Sequence, residues 1–392
     1  MLILHVLPTL DPKAGGLSQA VRNMIRYASS PDLEHEVVCL DPADASYLFE
    51  DSFKIYALGK GRTAWNYHGE LRSWLNRNLK RYGRILVHGL WQYQSFAVYR
   101  SWKKARAASI HLFVMPHGML DPYFQRAKDR RLKALRNLLF WKFTEKQLVN
   151  SADGVLFTCE TEKQLARENF QPYLPKKEHV IGLGVQQPPS FKMEMGMEFF
   201  KLCPRAAGTP YFLFLGRIHQ KKGVNLLINA YHELQKLNKN LPVLVIAGPG
   251  LDTPYGKELQ QIAEGSSSIV FSGMLEGLAK WGAFYNCEAF ILTSHQENFG
   301  IAVVEALACG KPVLISNQVN IYREIEDSGA GIIGNDHLEG VVEQLQQWLN
   351  LNAEEKQAMG FNASHCYEKY YSENSAGTLL CQTLKNTHHA RF

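Results

Sequence analysis

Short apolar runs alternate with amphipathic stretches along the whole chain, and this alternation limits the fold more than any single motif does. In the first half the runs Leu2–Leu7, Glu36–Leu40, Ile85–His88, His111–Met115 and Gly154–Thr158 read as strands. Helical patterns lie between them at Ser18–Ala28, Gly69–Tyr82, Lys128–Val149 and Thr161–Asn169. The second half repeats the scheme, with strands at Tyr211–Gly216, Val243–Ala247, Ile269–Ser272, Ala289–Leu292 and Pro312–Ile315. Its helices are expected at Gly223–Leu237, Gly256–Glu264, Leu278–Asn286, Ala302–Ala308 and Leu338–Leu349. Strand–helix alternation of this kind predicts an α/β chain with mostly parallel sheets, each half one doubly wound unit.

The 392 residues suit two domains of ~150–200. The expected domains are 1–190 and 205–365, with the boundary inside the Pro- and Gly-punctuated, Met-rich segment 182–210. The helical pattern Phe361–Lys385 comes after a complete second domain, so 366–392 is expected to pack back on the first.

No apolar run reaches the ~18–20 residues that span a bilayer, and the amino terminus has no basic leader, so it reads as a first strand. Seven dispersed cysteines without a C-x-x-C pair argue for a reducing, cytoplasmic setting, with no disulfide framework and no zinc site. Charge is uneven: 27 Lys and Arg face 17 Asp and Glu up to residue 190, whereas 16 face 20 beyond it. A basic first half suits a phosphorylated acceptor or the anionic inner face of a membrane. Nucleic acid is not expected, because no recognisable binding module accompanies the charge.

The motif Glu297-Asn-Phe-Gly-Ile-Ala-Val-Val-Glu305 sets a carboxylate before a glycine turn and a second inside the following helix. Free N–H groups at a helix start favour an anion. The two carboxylates would lie about 12 Å apart along a helix axis. That exceeds the roughly 5–9.5 Å of a glycoside hydrolase pair and suits the two ends of one extended ligand, a nucleotide-sugar. The plain alternative makes Glu297 a cap and Glu305 a surface residue.

Arg217-Ile-His-Gln-Lys-Lys222-Gly223 follows a strand and delivers two kinds of cation where a diphosphate could lie. Asp11-Pro-Lys-Ala-Gly15-Gly16 also joins a strand to a helix, without P-loop or dinucleotide spacing. Met115-Pro-His117-Gly-Met-Leu-Asp121 and Val87-His88-Gly-Leu-Trp91-Gln-Tyr93 close two strands at the edge where α/β sheets bind ligands. His117 could face a cleft or be a satisfied structural histidine. His88, Trp91, Tyr93 and Asp121 could form an acceptor platform, and core packing explains the aromatics equally well. Lys128, Arg130, Arg131, Lys133, Arg136, Lys142 and Lys146 stand among Leu, Phe and Trp, a basic amphipathic helix suited to a membrane surface or to plain solvation. No Asp-x-Asp pair is present to hold a cation on a diphosphate, so fixed side-chain cations are expected instead. Gly248-Pro-Gly250 lacks the third glycine of a dinucleotide site, which excludes a dehydrogenase.

Taken in order, these motifs resemble those of glycosyltransferase family 4, the group 1 retaining glycosyltransferases. The likeness covers nearly the whole chain and is strongest over 211–315. The His-Gly-Leu-Trp and Pro-His-Gly-Met-Leu-Asp-Pro patterns are also similar to bacterial polysaccharide-cluster members, including cyanobacterial heterocyst-envelope enzymes. The resemblance implies a GT-B fold: two Rossmann-like domains facing across a deep cleft, the first binding acceptor and the second donor. It implies a retaining hexosyl transfer from a nucleotide-sugar, such as UDP-glucose, to a glycan or lipid-linked saccharide in polysaccharide synthesis, with no cofactor and no metal.

Carried onto this sequence, Arg217 and Lys222 would bind the diphosphate. Glu297, with Asn298, Phe299 and Gly300, would hold the donor sugar. Ile301 and Ala302 would meet phosphate, Glu305 the ribose, and Met274 and Leu275 the base. Gly15 and Gly16 would close on the diphosphate, and His117 would contact the sugar near the reacting centre. Gln220-Lys221-Lys222 departs from the family's usual acidic residue before the lysine. The alternatives are a non-catalytic nucleotide-sugar binder, an epimerase or a phosphorylase.

Overall fold

The computed structural model describes residues 1–14, 16–28, 32–105, 109–126, 131–238 and 240–385. They form two compact units: residues 1–184 with the returning segment from Glu373, and residues 185–372.

The first unit carries seven parallel strands: β1 (Leu2–Val6), β2 (Glu34–Cys39), β3 (Lys54–Ala57), β4 (Arg84–His88), β5 (His111–Met115), β6 (Gly154–Phe157) and β7 (Glu178–Val180). Their order is β3-β2-β1-β4-β5-β6-β7. Both faces are covered, so the central strands are mostly apolar rather than regularly alternating, with His5 on β1 and Arg84 and His88 on β4 as buried polar exceptions. Leu4, Val6, Ile85, Val87, Leu112 and Val114 pack on one side with the helices Gly69–Asn78 and Tyr93–Ala105. Ile3, Leu86, Phe113 and Met115 pack on the other, against Met24 and Ala28 of the helix Gly16–Ala28 and against Leu380 and Leu384. The last two belong to the helix Glu373–Lys385, which is therefore part of this unit's core. Buried Arg84 fastens it, donating from Nε to the Leu384 carbonyl at 2.8 Å.

The second unit has six parallel strands: β8 (Tyr211–Leu215), β9 (Val243–Ala247), β10 (Ile269–Gly273), β11 (Ala289–Leu292), β12 (Val313–Ser316) and β13 (Gly331–Gly334). Their order is β10-β9-β8-β11-β12-β13. In each unit the order reverses beside the first strand, at β1/β4 and at β8/β11. Ligands of open α/β sheets bind at the carboxyl ends of strands that flank such a reversal.

Three edge strands, β3, β7 and β13, carry no signal strong enough to predict them. They are four, three and four residues long, and none is buried along its length. The helix Tyr93–Ala105 likewise lies outside the helices that the sequence pattern predicts. Residues 185–190, expected in the first domain, and 191–204, expected between the domains, belong to the second unit, which begins at Val185. Its helix Met193–Leu202 buries Met195 and Phe199 and lies so close to the helix Gly277–Asn286 that a Cβ on Gly282 would fall 2.0 Å from the Met195 carbonyl. The segment read as one helix, 128–149, is two helices, Arg131–Phe140 and Lys146–Ser151, joined by a π-helical turn at Trp141–Glu145.

Candidate functional site

In the second unit the loop after β8 and the loop after β11 meet at the strand-order reversal. The first runs from Gly216 through Arg217 into a single turn, Gln220–Lys222, and ends on Gly223 in the left-handed region at φ 65°. A side chain at Gly223 would collide with the Thr293 carbonyl, its Cβ only 2.0 Å away, so glycine is required for the two loops to touch. The His295 N–H donates to the Lys221 carbonyl at 2.9 Å and ties the loops further. Lys222 then reaches across and forms an ion pair with Glu297, both side chains less than one-fifth exposed.

Glu297 is itself held by backbone. Its N–H donates to the Gln318 carbonyl at 2.9 Å, and its carbonyl accepts from the Asn320 N–H at 2.9 Å. Burial pushes its carboxyl up, but Lys222, Lys221 and the Asn298 N–H outweigh it, so the net shift is downward and Glu297 is an anion at neutral pH. Gly300, at φ 78°, then turns the chain into the helix Ile301–Ala308. Its carbonyl takes the N–H groups of Val303 and Val304 at 2.9 and 3.2 Å, which leaves those of Ile301 and Ala302 as the helix's outward donors. Four residues on, Glu305 pairs with Lys280 at 2.6 Å. For this carboxyl burial prevails over the lysine, and its pKa is raised. Arg217 is exposed and makes no ion pair among the described residues. The loops thus set an exposed guanidinium, a lysine with two further N–H donors and a helix start around two carboxylates.

In the first unit the corresponding reversal opens on a cavity of about 890 Å³. Loops after β1, β2, β3, β4 and β5 line it, contributing Thr9, Asp41, Asn66, Trp91, Gln94 and Met119 among others. Asp41 anchors the loop after β1, accepting from the Leu10 N–H at 2.7 Å and from the Tyr47 hydroxyl at 2.9 Å. Trp91, at φ 70°, is held by its N–H, which donates to Glu145 at 3.0 Å. Burial lifts that carboxyl to about 8 against the pull of this hydrogen bond. Gln94 is 1% exposed, and both atoms of its amide lack a partner among the described residues while the residue lines the cavity. Such an amide is poised for a polar ligand.

Residues 199–365 match the family model described as glycosyl transferases group 1, and residues 15–184 match the glycosyl transferase 4-like domain. The chain belongs to the group 1 glycosyltransferase family. It is similar to the O-antigen chain mannosyltransferase C of Escherichia coli, with 29% identity over 42% of this chain and 43% of that protein. A D-inositol 3-phosphate glycosyltransferase of Nocardiopsis dassonvillei is 27% identical over 49% of this chain and 46% of the relative. The chain thus spans less than half the length of these curated relatives. Among solved structures, a glycosyltransferase of Rickettsia africae superposes with a TM-score of 0.77 at 15% identity, covering 98% of this chain and 99% of that one. Anabaena HepE, in complex with UDP and glucose, superposes with a TM-score of 0.73 at 16% identity, with coverage of 98% and 99%. Likeness at this identity shows the GT-B class of fold, two Rossmann-like domains.

For this group 1 family member the second unit brings together Lys222, Glu297, Asn298, Gly300, Ile301 and Ala302, with Arg217 on the same loop as Lys222. Phe299 contributes only backbone, because its ring is 5% exposed and packs edge-on against Tyr371 at 5.7 Å. Met274 and Leu275 follow β10, the first 58% exposed and the second buried. Gly16 opens the helix Gly16–Ala28 with open space around its Cα, whereas Gly15 lies outside the described residues. His117 is part-exposed.

The acceptor platform needs correction. His88 is 0% exposed and both of its ring nitrogens bond other histidines, so it offers no group to an acceptor. Tyr93 is core, sandwiched by Trp65, Tyr67 and Phe96. Asp121 is buried and caps a short helix by accepting from the Tyr123 N–H at 2.8 Å. Only Trp91 of that group lines the cavity. Gln94, Asp41 and Glu162, which accepts from the Gly118 N–H at 2.6 Å, carry no sequence signal, since nothing marks an isolated Gln or acid as facing a cavity or holding a loop until the fold is known. Lys128 and Arg130 lie outside the described residues.

Proposed function

We propose that this chain is a retaining, metal-independent glycosyltransferase that moves a hexose from a nucleotide-sugar to a glycan or lipid-linked saccharide. The observation that carries the reading is the Lys222–Glu297 ion pair at the head of the helix Ile301–Ala308, with Arg217 exposed on the loop that carries Lys222. Breaking the sugar–phosphate bond builds negative charge on the departing diphosphate. Arg217, Lys222 and the N–H groups of Ile301 and Ala302 are the fixed donors that would stabilise it. Glu297 serves the other end of the reaction, accepting from sugar hydroxyls, and Glu305 accepts from the ribose. The acceptor hydroxyl attacks on the side the diphosphate leaves, and a leaving phosphate oxygen takes its proton. The cavity of the first unit, with the unpartnered amide of Gln94 in its lining, is the acceptor's place in this reading. UDP-glucose is the favoured donor, supported by the UDP and UDP-glucose complexes of HepE.

The helix Arg131–Phe140 and the turn after it present Leu132, Leu135, Leu139 and Phe143 to solvent, flanked by Arg131, Lys133 and Lys142. Apolar residues at this spacing with a basic rim suit an anionic membrane surface, where a lipid-linked acceptor would be found. No helix among the described residues is long and apolar enough to cross a membrane.

The test is a donor panel containing UDP-glucose, UDP-galactose and GDP-mannose, with and without chelator. Release of nucleoside diphosphate, and the anomeric configuration of the product, are read by NMR. Turnover that survives chelation and retains configuration supports the scheme. Inverted product, obligatory metal or isomerised donor would overturn it.

A further inference from the structure

Four imidazoles form one hydrogen-bonded row across the first unit's sheet. His35 (on β2), His5 (on β1) and His88 (on β4) each come from adjacent strands, and His117 follows β5. His5 Nε2 lies 2.8 Å from His35 Nδ1, His5 Nδ1 lies 2.9 Å from His88 Nε2, and His88 Nδ1 lies 3.0 Å from His117 Nε2. The first three side chains are at most 5% exposed. At the far end His35 Nε2 meets the Ala28 carbonyl at 3.4 Å, the last residue of the helix Gly16–Ala28. The Cys381 thiol also approaches that carbonyl, at 3.8 Å. Every inner nitrogen is used by a neighbouring ring, so the row has no common point at which a cation could sit, and no metal-binding group occurs among the described residues.

The carbonyl gives the row a direction. A carbonyl oxygen only accepts, so His35 Nε2 carries the proton. A neutral imidazole has one N–H, so His35 Nδ1 is a lone pair and His5 Nε2 must donate to it. The same step repeats through His88 to His117, whose Nε2 donates inward. Burial holds all four rings neutral, lowering each pKa, that of His117 to about 3. His117 Nδ1 is left as a lone pair with no partner among the described residues. The ring is fixed in place as well. His117 and Gly118 both have positive φ, 52° and 78°, and the Gly118 N–H donates to buried Glu162 at 2.6 Å.

We propose that His35, His5 and His88 are positioning residues that lock His117 as the Nε2–H tautomer, so that it offers Nδ1 as a hydrogen-bond acceptor to a hydroxyl of the bound sugar. The sugar rests on the glycosyltransferase reading; the tautomer does not. A carboxylate or phosphate oxygen would meet a lone pair at Nδ1 and be disfavoured, which makes the row a selector for neutral hydroxyls at that point.

The full-length protein labelled with 15N-histidine decides this by long-range proton–nitrogen correlation spectra near pH 7.5, with His117→Gln used to assign the ring. All four imidazoles should be neutral and protonated at Nε2. A proton on His117 Nδ1, alone or with Nε2, would overturn the proposal. His35→Leu removes the anchor and should leave His117 as a mixture of tautomers, with KM for the donor or acceptor sugar raised by the reciprocal of the remaining Nε2–H fraction, about twofold for an even mixture. His35→Gln keeps one donor and one acceptor and should restore both readouts. A mixed tautomer with unchanged kinetics would sink the link to substrate. The expected tautomers without any transfer would instead count against the glycosyltransferase reading and leave the lock intact.

Discussion

Lys222 and Glu297 lie 75 positions apart in sequence and share one ion pair, so each sets the other's cost. Removing the lysine strands a largely buried carboxylate, whereas removing both charges does not. Lys222→Met is therefore expected to lower unfolding free energy by about 1–3 kcal/mol, below the figure for a fully sealed pair because both side chains keep some exposure. Adding Glu297→Gln should recover most of that stability and none of the activity, since a preorganised anion contact is worth roughly 10²–10³ in rate. Urea unfolding beside donor turnover separates the two effects. At this scale the sequence was informative wherever a backbone requirement left a mark. Gly223 and Gly300 sit at the loop ends because their φ values demand it, and the carboxylates follow at fixed spacing. It was silent on Gln94, whose unpartnered amide means something only beside a cavity.

Among elements, the central strands and the edge strand β10 are legible in the sequence, whereas the edges β3, β7 and β13 are not. His111–Met115, Val243–Ala247 and Ala289–Leu292 are apolar because both sheet faces are covered, so their limits are printed in the residues. β3 and β7 lie at sheet margins and lack that constraint. The histidine row shows the same divide: its members lie 30, 83 and 29 positions apart, and only the strand order β2-β1-β4-β5 aligns them. The row has a consequence for stability. Its folded pKa values lie below the unfolded value of about 6.5, so the unfolded chain binds more protons once pH falls through that value. The row's contribution is complete above that pH and is lost below it, by up to about 1.4 kcal/mol per pH unit for each ring. Burial and, for His5 and His88, the neighbouring imidazoles lower these values, the Ala28 carbonyl opposes the shift at His35, and no carboxylate is among the causes. Urea midpoints should fall steeply between pH 7 and 5, and His117→Gln should shallow the slope by about one proton. A flat profile would mean that the rings are already charged in the folded protein.

Over the whole molecule, the two units differ in charge as well as in their loops. The helix Glu373–Lys385 completes the core of the first unit, so Leu384→Ala should cost about 2–5 kcal/mol in thermal or urea unfolding of that unit. The excess of basic residues also falls in the first half of the chain, the half that carries the exposed face of Leu132, Leu135, Leu139 and Phe143. Phe143 alone is 64% exposed, and leaving this row of large apolar groups in water is unfavourable unless a surface covers it. If that surface is an anionic bilayer, two terms add. Apolar burial is insensitive to salt, whereas each Lys or Arg near the headgroups contributes about 1 kcal/mol that salt screens. Flotation with vesicles should therefore show binding to phosphatidylglycerol-containing membranes, little to phosphatidylcholine alone, and a decline from low to high salt. Leu135→Glu with Phe143→Glu should abolish binding by placing like charge and polarity on the same face. Nucleotide-sugar affinity by calorimetry should stay unchanged, because the face lies apart in sequence from the proposed donor side chains Arg217, Lys222, Glu297 and Glu305, all in the second unit. Equal binding to neutral vesicles, or binding untouched by the double substitution, would assign this face to a different partner.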